Sequence, residues 1–181
     1  MLAGKTLLDI NRILEKASVT ENMTLADLGC GSSGYFVFNC AKLVGKEGNI
    51  YAVDVVKQSL KNIDLRARQE NIENIKTIWS DLEIFGAAKI EANSLDVAFL
   101  VNTLYQSKKR AEVLRESIRM LKKDGKLVVI EWKDISSPFG PDVEIRVKKE
   151  PLKIASQKLG LSIENEFEAG PYHYGLIFVK L

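Results

Sequence analysis

The chain has 181 residues, 46% of them hydrophobic and 28% charged, which suits one soluble globular domain with a substantial core. Its 26 basic and 24 acidic residues nearly cancel, so charge singles out neither a nucleic acid nor a membrane surface as partner. No apolar run reaches the roughly 18 residues of a membrane span, and one histidine without a Cys-x-x-Cys pair gives no reason to expect a metal site.

Strand and helix signals alternate along the chain. Residues 1–22 precede the first strand, and Met1-Leu2-Ala3-Gly4-Lys5 lacks the apolar core of a signal peptide. Leu7, Leu8, Ile10, Leu14 and Ala17 fall on one helical face, which either packs on the sheet edge or lids an active site. Thr24–Leu28 reads as a short strand, Tyr35–Val44 as a helix, and Asn49–Val53 as a second strand ending in Asp54. Lys57–Asn71 has Leu60, Ile63, Asp64 and Ala67 along one helical side. Ile75–Trp79 is a third strand, followed by Ser80-Asp81, and Leu95–Val101 is an apolar run fit for a central strand. Lys108–Leu121 has helical spacing, and Lys123-Asp124-Gly125 turns into a fifth strand, Lys126–Trp132.

The tail breaks this pattern. Pro151 suits the first turn of a helix that runs to Leu159 and stops at Gly160. Ser162–Phe167 and Tyr174–Val179 are strands separated only by Glu168–His173, too short for a parallel crossover, so they must pair antiparallel. The expected architecture is α/β: a Rossmann-like three-layer sandwich in which five strand–helix units form a mostly parallel seven-stranded sheet closed by an antiparallel hairpin. Residues 1–181 form one domain in this reading. Cys30 lies in a glycine loop and Cys40 in the next helix, so no disulfide is expected and the cytoplasm is the default setting.

The chemistry gathers at the strand ends. Asp27-Leu28-Gly29-Cys30-Gly31-Ser32-Ser33-Gly34 holds a Gly-x-Gly-x-x-Gly that lets a ligand approach backbone at a helix N-terminus. Asp54 ends the next strand, 20 residues after Gly34, where an acid accepts hydrogen bonds from ribose hydroxyls. Both features suit NAD as well as other adenosine cofactors. Asp27 separates them: it would repel a pyrophosphate by about 1–4 kcal/mol, whereas S-adenosylmethionine offers an ammonium and a sulfonium for it to attract. The ligand's carboxylate can still use N–H groups at the helix start.

The segment Asp27–Gly34 resembles motif I of the class I S-adenosylmethionine-dependent methyltransferases. Tyr51-Ala52-Val53-Asp54 resembles that superfamily's ribose-binding strand end, and Ser80-Asp81 its adenine-side pair. Arg119-Met120-Leu121-Lys122-Lys123-Asp124-Gly125-Lys126-Leu127 is similar to its turn before strand five, departing at Lys123 and Asp124. The resemblance implies S-adenosylmethionine as cofactor, with S-adenosylhomocysteine as product and no metal. It implies binding at Asp27, Gly29, Gly31, Gly34, Asp54, Val55, Ser80, Asp81, Leu82 and Asn102. Val101–Gln106 and Val129–Lys133 look like the small-molecule branch, which includes ubiquinone/menaquinone-biosynthesis and arsenite methyltransferase-like proteins. The cysteine set for arsenic chemistry is missing. So is the Asn/Asp-Pro-Pro-aromatic motif of amino-directed nucleic-acid enzymes, since this chain has Asn102-Thr103-Leu104-Tyr105 there.

Methyl transfer from a sulfonium needs chiefly alignment, and a base only for a protonated acceptor. His173, the one histidine, and Tyr105 are the candidates for such a role; a hydrogen-bonded structural histidine is the alternative. Tyr35, Tyr105 and Gln106 follow strand ends and could touch substrate, while Trp132 either walls the pocket or packs in the core. Glu131 is expected in a structural pair. The basic clusters Lys108-Lys109-Arg110, Lys122-Lys123 and Arg146-Val147-Lys148-Lys149 read as solvated surface, with no stripe for nucleic acid. The expected activity is methyl transfer to a small-molecule acceptor by in-line displacement. A protein- or RNA-directed methyltransferase, an NAD-dependent oxidoreductase and a non-catalytic cofactor-binding subunit stand as alternatives.

Overall fold

The structure, a computed structural model, describes residues 7–181. Seven strands form one sheet: β1 (Thr24–Leu28), β2 (Asn49–Asp54), β3 (Ile75–Trp79), β4 (Leu95–Val101), β5 (Leu121–Trp132), β6 (Leu161–Gly170) and β7 (His173–Lys180). Their spatial order is β3-β2-β1-β4-β5-β7-β6. The first five are parallel, and β7 runs antiparallel to both β5 and β6. The β6–β7 connection is only Pro171-Tyr172, shorter than the sequence suggests because the ladder reaches Gly170 and His173.

Helices cover both faces, as the doubly apolar central strands require. On one face, Ile10 and Ile13 of α1 (Ile10–Lys16), Phe36 and Val37 of α2 (Tyr35–Val44) and Leu60 and Ile63 of α3 (Lys57–Gln69) pack on Val97, Phe99 and Ile130. On the other, Val113 and Leu114 of α4 (Arg110–Met120) and Leu152 of α5 (Lys149–Lys158) pack on Ala98, Leu100 and Val129. Alternate residues of β4 and β5 thus feed two separate cores, the period-two rule for strands.

Four departures from the sequence reading have local causes. Residues 80–94, between β3 and β4, contain no helix, so the third crossover is a loop. Glu116 pins it: its buried carboxylate accepts from the Gly86 N–H at 2.7 Å and the Ala88 N–H at 3.1 Å. Arg119 bonds both Glu116 and the Ile90 and Ala88 carbonyls. Leu121 leaves the helix and pairs with Leu95, and the register shift that follows is taken up where Asp124 adopts φ +60°. α1 is shorter than expected, and the part of the expected N-terminal helix on residues 1–6 lies outside the described residues. Asp9 caps α1 through the Arg12 N–H, and its own N–H donates to the Ala169 carbonyl at 3.0 Å. This ties residues 7–9 to the end of β6. Finally, Arg146 is buried rather than solvated.

Candidate active site

Strand order reverses between β1 and β4, where open α/β sheets bind ligands at their carboxyl ends. A cleft of about 440 Å³ lies there. It is lined by Gly29, Gly31, Asp54, Val55, Ser80, Asp81, Leu82 and Gln106, all expected from the sequence. A larger hollow of about 660 Å³ lies at the amino ends of β2 and β3. We set it aside as a site: it is at the opposite end of the sheet, and Asn74 already caps the Ala41 and Gly45 carbonyls there.

The glycine loop is folded by its own N–H groups. Those of Gly29 and Cys30 both donate to the Val53 carbonyl, at 2.8 and 3.0 Å. That of Gly31 donates to Asp54 Oδ2 at 2.9 Å, while Asp54 Oδ1 accepts from Val56 N–H at 2.8 Å. The first three loop amides are therefore spent internally and do not face a ligand. Gly29 must be glycine: its φ is +85° and a Cβ would lie 2.7 Å from Thr103 Oγ1. Thr103 is held in place by donating to the Leu28 carbonyl at 2.9 Å. At Gly31 a Cβ would meet nothing within 4 Å, so the loop is open toward the cleft there. Gly34, at φ +56°, caps α2 and abuts Phe38 and Ile63; it shapes the loop without lining the cleft.

Asp27 lies behind the loop, 4% exposed. Burial, and secondarily the negative charge of Asp54, push its carboxyl up to about 7. Burial, followed by these carboxylates, also raises the Cys30 thiol, and with Asp27 that of Cys40; both are buried and free. Asp81 is exposed and accepts from the Glu83 N–H at 2.9 Å, leaving its second oxygen uncommitted. Ser80 Oγ and Asn102 Oδ1 are buried at the ends of β3 and β4 without a hydrogen-bond partner among the described residues. Native folds rarely leave such atoms unpaired. They fit a polar adenosyl ligand lying along these strand ends.

Other expected residues fall elsewhere. Tyr35 is 41% exposed on α2 and does not line the cleft. Tyr105 packs on the second core, where burial, and then Glu131, raise its phenol. Gln106 does line the cleft and donates to the Asn102 carbonyl. Glu131 makes no ion pair among the described residues, Arg110 acting on it only at a distance; its Oε1 accepts from the Leu104 N–H at 2.7 Å, and burial pushes it up to about 7. Trp132 and His173 stack on each other with ring centroids 4.0 Å apart and are both buried. Burial, chiefly, pushes His173 down to about 4, so the imidazole is neutral near pH 7, a weak base there. Val56, Ser59, Glu83, Thr103, Ser107 and Val113 also line the cleft, and sequence reasoning missed them. Glu83 and Ser107 could have been suspected only from their flanking of motif positions.

A parallel switch-point cleft with this glycine loop, two strand-end acids and a C-terminal antiparallel strand defines the fold class of the class I S-adenosylmethionine-dependent methyltransferases. A methyltransferase-domain family profile matches residues 19–168, and the chain belongs to that family. It is 28% identical over 117 residues to the demethylmenaquinone methyltransferase of Lactococcus lactis, covering 65% of this chain and 45% of that protein. It is 27% identical over 135 residues to the human arsenite methyltransferase, covering 71% of this chain and 35% of that protein. The matches thus span less than half the length of these two relatives. The crystal structure of a SAM-dependent methyltransferase from Aquifex aeolicus superposes with TM-score 0.87 at 23% identity, covering 97% of this chain and 91% of that one. Among the described residues, no helix is long and apolar enough to cross a membrane, and no group of three or more potential metal ligands occurs.

Proposed function

We propose that this protein, with residues 1–181 acting as one unit, transfers a methyl group from S-adenosylmethionine to a small-molecule acceptor. The reading rests on one arrangement above all: Asp54 and the glycine loop joined at the cleft floor, with the buried acid Asp27 behind them. When bound, S-adenosylmethionine supplies an electrophilic methyl group that passes in line to a lone pair of the acceptor as its carbon–sulfur bond breaks. Asp54, held by two backbone N–H groups, keeps lone pairs for ribose hydroxyls. Asp81 and Leu82 border the adenine end. Asp27 offers negative charge to the ammonium. Alignment carries most of the catalytic burden, a contribution of roughly 7–11 kcal/mol where geometry is ideal.

The relatives' names, demethylmenaquinone and arsenite methyltransferase, support a small acceptor. We also infer a cytoplasmic setting, on cysteine usage alone. The test is to incubate the protein with methyl-labelled S-adenosylmethionine and a cell extract, then separate small molecules from protein and RNA. Label in the small-molecule fraction supports the reading. Label confined to protein or RNA overturns the small-acceptor part.

A further inference from the structure

Buried polar atoms without a partner are concentrated along the carboxyl edge of the sheet. Among the described residues they are Ser80 Oγ, Asn102 Oδ1, Glu131 Oε2, Trp132 Nε1 and both ring nitrogens of His173, with Ser156 Oγ elsewhere. Ser80 and Asn102 belong to the cofactor half of that edge. Trp132 and His173 lie beyond it, on β5 and β7, and the cofactor does not account for them.

We propose that Trp132 and His173 form a seat for an oxygen atom of the acceptor, and that the seat accepts neutral or anionic oxygen groups while rejecting cationic amines. The proposal rests on the methyltransferase reading and adds the acceptor's chemistry to it.

Geometry supports the pairing. Trp132 and His173 are direct partners in the β5–β7 ladder, and strand alternation puts both on the face of Val128, Ile130 and Ile177, the side that α1 and α2 cover. Trp132 is 6% exposed and His173 fully buried. β5 is two strands from β1, so the seat lies roughly 10 Å along the sheet from the glycine loop. A small acceptor can bridge that distance to the transferred methyl.

The donor set supports the oxygen. An indole offers only a donor, and a neutral imidazole offers one donor and one acceptor. The charges felt by the imidazole are Lys133 and Arg146, both positive. Lys133 is paired with Glu168 and donates to the Pro171 carbonyl. Arg146 is buried and spends its donors on the carbonyls of Lys133, Ile135, Phe139 and Pro141, with no carboxylate among its partners. Its guanidinium lies 5.7 Å from the Trp132 ring. One buried, uncompensated positive charge therefore stands behind the seat, and it favours an oxyanion over an ammonium.

Two backbone segments cover the pair. A Cβ on Gly140 would lie 2.7 Å from the indole, and the Leu7 carbonyl stands close enough to the imidazole to favour its protonated form, though without the geometry of a formed hydrogen bond. A Cβ on Gly170 would lie 2.1 Å from the same Leu7 oxygen. Admission of an acceptor requires the 7–9 segment or the 138–141 turn to part from the rings.

The test uses the full chain, nitrogen-15 labelled and saturated with S-adenosylhomocysteine, titrated with phenol, benzoate and benzylamine. The single histidine makes the imidazole signals unambiguous, and Trp132→Phe assigns the indole signal against Trp79. Phenol and benzoate should move both the His173 and Trp132 signals, and benzylamine should not. Trp132→Phe and His173→Phe should each weaken benzoate roughly tenfold, the scale of one lost hydrogen bond to a charged group. His173→Gln should restore part of it. Both ring-retaining variants keep the stack, and thermal melts verify the fold. The proposal is overturned if benzylamine shifts the signals as strongly, if no probe shifts them while S-adenosylhomocysteine binds, or if the phenylalanine variants bind benzoate like the wild type. Failure to bind S-adenosylhomocysteine overturns the methyltransferase reading itself, and this inference falls with it.

Discussion

Gly31 donates its backbone N–H to Asp54 Oδ2 at 2.9 Å, so the loop after β1 and the acid ending β2 form one hydrogen-bonded unit. The second oxygen takes the Val56 N–H at 2.8 Å. Asp54→Ala removes both charge-assisted bonds and leaves two amides unpaired. The expected cost is on the order of 3 kcal/mol of stability, with loss of cofactor binding. Asp54→Asn keeps one carbonyl acceptor and should fall between. Urea unfolding and calorimetry on both variants check the order; an Asp54→Ala variant that binds like the wild type would contradict it.

Gly29 and Thr103 are fitted to each other. Gly29→Ala places a methyl 2.7 Å from Thr103 Oγ1 at φ +85°, so both clash and backbone strain oppose it. Adding Thr103→Ala removes Oγ1 and Cγ2 and leaves only Cβ, at 3.3 Å. The double variant should recover part of the lost melting temperature, with about 1–3 kcal/mol of backbone strain remaining. Equal melting temperatures for the single and double variants would mean that Thr103 is not the obstacle.

The proposed contact between Asp27 and the cofactor's ammonium predicts that binding is proton-linked. Its folded carboxyl is raised to about 7, above the ordinary value of 3.8, by burial and then by Asp54. The folded protein therefore holds a proton that the unfolded chain releases. That stability is full below about pH 4 and is lost as pH rises through 7. A ligand ammonium favours the charged carboxylate, so binding expels the proton and affinity should fall by up to roughly tenfold per unit below pH 7. Asp27→Asn should be more stable than the wild type at pH 8, with the gap narrowing steadily as pH falls from 7 toward 4. It should also bind S-adenosylhomocysteine weakly and without the pH slope. Calorimetry from pH 5.5 to 8 reads the slope directly, and a flat profile in the wild type would refute the linkage.

Glu116 holds the 80–94 loop, which carries Ser80, Asp81 and Leu82 into the cleft. Its carboxylate is fully buried, and it gathers the Gly86 and Ala88 amides and Arg119. Glu116→Ala strands a partly buried guanidinium and two amides, an expected loss of about 3–5 kcal/mol. Hydrogen exchange at Gly86 and Ala88 should speed up before the sheet amides do. Unchanged protection there would show that the loop is held by other means.

The strands were legible because β4 is an almost wholly apolar run, and β1 and β3 are short segments rich in apolar and β-branched residues that end at turn or loop residues, while α2 matches its helical periodicity to the residue. The loop in place of a third crossover helix was not, because it is specified by one distant carboxylate, Glu116, rather than by local periodicity. The cleft's strand-end residues were readable for the same reason as the strands: topology places every parallel strand's carboxyl end on one side. Thr103 was invisible, since its role is to meet Gly29 across β1 and β4. Arg146 looked like surface charge beside Lys148 and Lys149; it is buried because the 133–146 loop wraps its carbonyls around the guanidinium. His173 could be located at a strand start, but its burial and low basicity come from Trp132 and the overlying backbone.

A cleft with this glycine loop and these strand-end acids should bind a phosphate-free adenosyl cofactor. Titration calorimetry of the wild-type chain with S-adenosylhomocysteine and, separately, with NADH tests it most directly. The expected result is saturable micromolar binding of S-adenosylhomocysteine, abolished in Asp54→Ala, and no binding of NADH. Saturable NADH binding with no heat from S-adenosylhomocysteine or S-adenosylmethionine would contradict it.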